Sequence, residues 1–432
     1  MKRRALMKHV RLKAVGGGAA LLALTACAGL PGRDAGQPAY AGDPAMQSVA
    51  QANTEFGLEI LGQLDEPGKN IFLSPASLTT AFGLLRAGAA GTTAEELDRV
   101  LHITLPEEDY HAANGRMVEA LNTDKEEVTV SINNAVWAEQ TAVLEPDYLA
   151  RVKTAYGAPD YRVDYIGHPD ASREIINRWV EEKTHDRIKD LLSQNDVTEY
   201  TRNILVNTVY LKADWAFPFG EEASKDAPFY LTPSNTVDVP MMNQIQYFRY
   251  FRSGGVALAE LPYKDNEFSM VLFLPRAKDG LEKLEAALVE NPEKFDGLVG
   301  RLMAKEPTRL ELKLPKLKIE ARYELEDPLI SMGMVESFSD FANFERMARR
   351  EKQPDGFGFK VSKVIHQTFL EVDEEGTEAA AATAIIVMIS SARRGPPPPP
   401  PIPFHVDHPY MFAIRHNPTG MILFLGRVED PR

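Results

Sequence analysis

The chain has one cysteine, Cys27, in 432 residues, so no disulfide can form within it and its stability has to come from packing. It has no G-x-S-x-G elbow, no H-E-x-x-H pair and no glycine-rich loop of the kind that cradles phosphate. With Cys27 set aside there is no thiol nucleophile, and no catalytic constellation is found. A positive excess is also missing: the net charge is -14, which argues against nucleic-acid binding. No internal repeat is visible. The apolar run near the amino end, AVGGGAALLALTA, is too short to span a membrane.

What is present is a chain with 44% hydrophobic and 25% charged residues, enough to bury a large core. Residues 1–26 hold six bases and no acid, so the remainder carries -14 less a further 6, or -20. Basic residues Lys2 to Lys13 followed by the short apolar run form a secretory signal. The run ends Leu24-Thr25-Ala26-Cys27, which resembles the bacterial lipobox, where cleavage precedes a lipid-bearing cysteine. An ordinary signal peptide cut after a small residue is the alternative, and Arg3-Arg4 loosely resembles a twin-arginine signal. The expected organisation is a signal peptide over 1–26, a lipidated Cys27 with a flexible tether over 27–46, and one folded domain over 47–432. The tether has few large apolar residues.

Within that domain, apolar spacing predicts a helix over Ser48 to Leu64. Ser74, Pro75 and Ser77 read as a second helix start; Gly88 and Gly91 end that helix, and Thr92 to Glu95 opens another. Val128 to Trp137 is expected to be a strand, with helices over Glu145 to Tyr156 and Ser172 to Leu192. In the latter, Ile176, Trp179, Val180 and Ile188 form an apolar stripe. Ile204 to Leu211 reads as a strand buried on both faces, in which the amide of Asn207 needs partners. Short strands follow at Val256 to Leu261, Phe268 to Leu274 and Arg309 to Leu314. His405, Asp407 and His408 make a weak metal pattern that reads better as structural.

The segment Val361 to Ser391 organises the rest. Ile365 to Val372 and Ile385 to Ile389 have strand composition, with Gly376 placed where a chain bends cheaply. Between them Thr377 to Ala384 favours helix by propensity. A strand, bend and second strand is one reading, and an alanine-rich surface helix before a core strand is the other. At a period of two, Thr377, Ala379, Ala381, Thr383, Ile385 and Val387 share a face that is small or apolar throughout.

Five stretches together resemble the serpin family: Asn70 to Leu97, Val206 to Phe219, Pro315 to Phe338, the hinge Glu374, Glu375, Gly376, Thr377, Glu378, Ala379, Ala380, Ala381 and Ala382, and Phe404 to Val428. They occur in the family's order and cover about Ser48 to Pro431. The resemblance implies an α+β fold of three β-sheets with about eight to nine helices and an exposed reactive-centre loop at about 374–403. It implies that Ser74, Ser77, Asn207 and His366 cluster under the centre of the main sheet, and that Trp215 and Glu374 lie where the loop enters.

The resemblance further implies suicide-type inhibition, not enzymatic turnover. A serine protease would cut the loop and form an acyl-enzyme, and the severed strand would then insert into the main sheet. No cofactor or metal is called for, and the partners are the target protease and, through Cys27, a membrane. The hinge spacing puts the reactive bond at Ser390-Ser391, while counting back from Pro409 falls about eight residues later, among the prolines Pro396 to Pro401. Val387, Met388 and Ile389 before Ser390 suit an elastase-like or subtilisin-like protease, and Arg393 and Arg394 keep a trypsin-like one open. A monomeric lipoprotein, exported to the bacterial envelope or beyond, is expected. The proline run is stiff and departs from the family pattern; it supports the alternative of a non-inhibitory binding or structural protein with the same fold.

Overall fold

The computed structural model describes residues 42–354, 356, 358–377 and 399–432. The signal and lipidation residues through Cys27, and Glu378 through Arg394 of the loop, lie outside the described residues. The first half contains α1 (Pro44–Gln63), β1 (Ile71–Leu73), α2 (Pro75–Gly88), α3 (Gly91–Val100), α4 (Glu107–Leu121), β2 (Thr123–Asp124), β3 (Val128–Glu139), α5 (Pro146–Tyr156), β4 (Asp160–Val163), α6 (Pro169–Lys183) and β5 (Asn203–Asp214). After these come β6 (Lys225–Thr232), β7 (Asn235–Ser253), β8 (Val256–Pro262), β9 (Phe268–Pro275), α7 (Leu281–Val289), α8 (Glu293–Met303), β10 (Thr308–Pro315), β11 (Leu317–Glu324) and α9 (Glu326–Ser331). Last are β12 (Ile365–Val372), β13 (Gly376–Thr377), β14 (Ile402–His405), β15 (Tyr410–His416) and β16 (Ile422–Val428).

Local chemistry accounts for the helix starts. Asp43 takes the backbone N–H groups of Ala45 and Met46, with Pro44 in the first turn, so α1 begins a few residues before the apolar spacing does. The Ser74 hydroxyl accepts the Ser77 N–H at 3.1 Å and caps α2, which ends at Gly88. Gly91, with φ +55°, is already the first residue of α3.

The main sheet has the order β11-β12-β13-β5-β3-β2, with β4 alongside β3. A second assembly runs β1-β16-β15-β9-β8-β7-β10-β14, with β6 also on β7. The long β7 belongs to two sheets: up to Phe248 it pairs with β6 and β10, and from Arg249 onward with β8. Helix α2 packs between β5 and β16, and so between the two layers. Phe72 is buried there, stacked on Phe412 and Phe424 at 5.9 and 5.2 Å.

Three local expectations need correction. The helix expected to reach Leu192 stops at Lys183, and His185, Asp186 and Asp190 have positive φ. There the Thr184 hydroxyl donates to the Val180 carbonyl and accepts the Ile188 N–H, which competes with continued helix. Strand β5 is not buried on both faces: Ile204, Leu205, Asn207 and Val209 are only half-buried, while Val206, Thr208 and Tyr210 are buried. Nor is Gly376 a bend; the turn falls at Glu374 and Glu375, and Gly376 is already extended in β13.

Candidate functional site

β12 pairs with β11 along all eight of its residues, and β5 pairs with β3. Among the described residues only the two-residue β13 stands between β12 and β5: Thr377 faces Val372 on one side and Ala213 on the other. Below it no pairing between β12 and β5 is found among the described residues. A cavity of about 20 Å³ lies under Thr377, bounded by Val209 to Leu211 of β5 and by Phe369 and Leu370 of β12. The sheet therefore has a seam, with a strand started at one end of it.

Asp373 builds that start. Its carboxylate accepts the N–H groups of Glu375 (2.9 Å) and Gly376 (3.1 Å), while its own N–H donates to the Gly376 carbonyl. Burial pushes this carboxyl up, against the pull of those two N–H groups. The Trp215 backbone N–H donates to the Glu375 carbonyl, the Phe219 N–H to that of Glu374, and the Trp215 indole N–H to that of Asp373. Glycine is required at 376 by close approach: a Cβ there would stand 2.1 Å from the Ala213 carbonyl oxygen. Thr377 is 2% exposed, and its hydroxyl meets the Tyr263 hydroxyl at 2.6 Å. The Tyr263 ring stacks on Trp215 at 4.6 Å and 7°.

Glu374 is buried, with Lys316 Nζ 2.6 Å from its carboxylate. Burial pushes its carboxyl up, but the hydrogen bonds it accepts, the one from Lys316 foremost, and the Lys316 charge together outweigh this and hold it below the ordinary range.

Further along the seam, a chain of hydrogen bonds touches both flanking strands. His366 of β12 accepts the Ser74 N–H through Nε2 at 3.0 Å, so the neutral ring carries its proton on Nδ1. Burial pushes the imidazole down to about 4. The Ser74 hydroxyl donates to the Leu423 carbonyl at 2.6 Å. The Ser77 hydroxyl donates to the side-chain oxygen of Asn207 on β5. Asn207 then donates to Asn134 at 2.8 Å, and Asn134 to the Tyr156 carbonyl at 2.9 Å. All four residues expected under the sheet centre, Ser74, Ser77, Asn207 and His366, thus lie in one network, and Trp215 and Glu374 lie together at the strand start. The sequence reading missed Asp373, Lys316, Tyr263 and Asn134. Only Asp373 carried a local signal, as the first residue of a D-E-E-G turn.

Of the histidine-rich stretch, His405 sits 3.6 Å from Glu311, and His408 donates from Nε2 to the Pro275 carbonyl with Asp407 at its other nitrogen. No group of three or more possible ligands poised for a metal is found among the described residues.

The site is thus a sheet split along a seam, with a two-residue strand paired at its mouth and a hydrogen-bonded polar network behind it. A family model described as "Serpin (serine protease inhibitor)" matches residues 51–431, and the chain belongs to that family. It is 34% identical over 404 residues to Serpin B3 of Homo sapiens and 35% identical over 399 residues to the leukocyte elastase inhibitor of Sus scrofa. Both alignments cover 89% of this chain and 100% of the relative. A solved structure titled "Cleaved Serpin 42Da" superposes with a TM-score of 0.78 at 28% identity, over 90% of this chain and 100% of that one. The family is one of protease inhibitors, not of enzymes.

Proposed function

We propose that the chain inhibits serine proteases by a suicide route in which residues after Thr377 enter the β5–β12 seam. The observation that carries the reading is the pairing of Gly376 and Thr377 between the two strands. Beyond Thr377 each residue would lie opposite one residue earlier in both neighbours. In that register Ile365 is reached by residue 384 and Asn203 by residue 387. Thr383 falls opposite both His366 and Asn207, so its hydroxyl would arrive at the network whose groups must exchange partners when the seam fills. Ser390 lies three residues past the last strand partner, which supports the hinge count for the reactive bond.

In the reaction the protease's serine oxygen attacks the Ser390 carbonyl carbon, the bond to Ser391 breaks, and the new amine at Ser391 leaves with the proton. The acyl ester remains on Ser390. Insertion then competes with hydrolysis of that ester. It is driven by ladder bonds of about 1 kcal/mol net each and by burial of Ile385 and Val387, each about 1.5–3 kcal/mol. Elastase-like or subtilisin-like targets fit the residues before Ser390. The amino-terminal pattern supports a bacterial lipoprotein, exported and held at the envelope through Cys27, with 47–432 as the inhibitory domain. Incubation with pancreatic elastase and subtilisin, read by denaturing gel and intact mass, tests this. An adduct that survives denaturation, with a released fragment beginning at Ser391, is expected; clean cleavage without adduct would leave a non-inhibitory binding protein.

A further inference from the structure

His405, Asp407 and His408 have no part in the seam, and their surroundings show another use for them. β14 is an edge strand of four residues, paired among the described residues only with β10, and Pro403 has no N–H to give that ladder. It follows the loop in the chain, so it is the loop's carboxy-terminal fastening. The corner after it adds bonds of its own. The Val406 N–H donates to the Lys313 carbonyl at 2.9 Å, and the Asp407 carbonyl accepts the Tyr230 N–H at 2.8 Å. His408 closes the corner against β9. It is 6% exposed, with Nε2 2.7 Å from the Pro275 carbonyl oxygen and Nδ1 2.7 Å from the Asp407 carboxylate.

Those two partners decide the charge on the ring. A carbonyl oxygen can only accept, and so can an ionised carboxylate. A neutral imidazole has one N–H and one lone pair, so it would satisfy one partner and turn a lone pair on the other. Only the imidazolium, with an N–H on each nitrogen, satisfies both. Burial pushes the Asp407 carboxyl up, but the His408 hydrogen bond and charge, with the charges of Lys278 and His405, outweigh this and hold it below the ordinary range. It is therefore the carboxylate that faces the ring. Around the pair stand Lys278, on the link after β9 with its ammonium over the Tyr230 ring of β6, and His405 of β14, 3.6 Å from Glu311 of β10.

We propose that His408 is a charged clasp on the carboxy-terminal end of the loop, closed while both ring nitrogens are protonated and loosened when one proton leaves. Deprotonation gives that proton to water and leaves either the Pro275 carbonyl or the Asp407 carboxylate facing a lone pair. The corner then loses one of its side-chain bonds, and β14, with few ladder bonds of its own, opens more often. The loop end is thus held more tightly in mildly acidic than in alkaline surroundings, whether or not a captured protease is retained.

Two measurements on the full folded domain test this. In nitrogen–proton correlation spectra of labelled histidine at pH 6, the His408 ring, identified by its absence in His408→Gln, should show both nitrogens protonated. In hydrogen exchange read by mass spectrometry and corrected for the intrinsic pH dependence, protection of the segment from Phe404 to His408 should fall about tenfold between pH 6 and pH 9. His408→Gln should be equally weak at both pH values, which also separates His408 from its neighbour His405. At least one of His408→Lys and His408→Arg, which keep a positive charge at pH 9, should retain its protection there. A ring with one bare nitrogen at pH 6, parent protection that does not change with pH, or the parent's slope persisting in His408→Gln overturns the proposal. So does the same slope in both the lysine and the arginine variants.

Discussion

Replacing Thr377 by arginine tests the seam where the structure is most constrained. The side chain is 2% exposed and hydrogen-bonded to Tyr263, with Ala213 and Val372 as cross-strand neighbours. Arginine there forfeits that hydrogen bond, about 1 kcal/mol, and brings a guanidinium into the sheet at a cost of several kcal/mol if it stays. β13 is only two residues long, so the intact protein escapes most of the penalty by releasing it, and thermal stability should fall by a few degrees at most. Insertion has no such escape, because every inserted residue must follow Thr377. A barrier raised by about 3 kcal/mol slows insertion roughly 100-fold, and ester hydrolysis then wins. The assay is the fraction of protease recovered as adduct against the fraction of inhibitor recovered cleaved, on a denaturing gel at fixed ratio. Thr377→Arg should be nearly all cleaved. An adduct fraction equal to that of the parent would refute entry of the strand through this site.

The buried neutral His366 sets a pH dependence. Its imidazole is held at about 4, below the ordinary value, so the unfolded chain binds the proton more readily. The contribution is fully present above about pH 6.5, shrinks as pH falls, and amounts to about 3 kcal/mol lost by pH 4. Denaturant unfolding between pH 7.5 and 4 should show the loss, and His366→Gln, which still offers an oxygen to the Ser74 N–H, should flatten the curve; an unchanged slope would contradict this. Lys316→Met strands the Glu374 carboxylate and should cost about 1–3 kcal/mol at pH 7.5, but less at pH 4.5, where that carboxyl can take a proton; a loss independent of pH would be inconsistent. Asn207→Ala, which cuts the link from Ser77 to Asn134, should cost about 1–3 kcal/mol by the same measurement, and a change within error would show the network is not structural.

Helix α2 and strand β12 were legible because their signals are local: a serine-proline cap in one, and β-branched and apolar composition from Ile365 to Val372 in the other. Gly376 was the right residue for the wrong reason. Its need comes from the Ala213 carbonyl, which is 163 residues away in sequence and invisible to turn rules. The same holds for β5, whose apolar run suggested two buried faces but which borders the seam. α6 ended early because Thr184 and Asn177 bond the returning chain, Asn177 exchanging two hydrogen bonds with Leu192. The long β7 was missed because its apolar residues change sides of the problem: inward Met242 and Phe248 serve the core, while outward Ile245 and Tyr247 do not. Of the site, the hydroxyl, amide and imidazole members were found through the family resemblance. Lys316 and Tyr263 were not, since a lysine or tyrosine at a strand boundary looks like any other until its partner is placed.

The central claim is that the β5–β12 seam takes up the severed strand, and the most direct measurement is the thermal midpoint of the domain before and after cleavage at Ser390-Ser391. Up to ten residues beyond Thr377 have partners in β5, so cleavage should add about 10 kcal/mol of ladder bonds alone. The account predicts a rise in midpoint of more than about 10 °C. A midpoint that stays level or drops after clean cleavage would contradict insertion, and the mechanism with it.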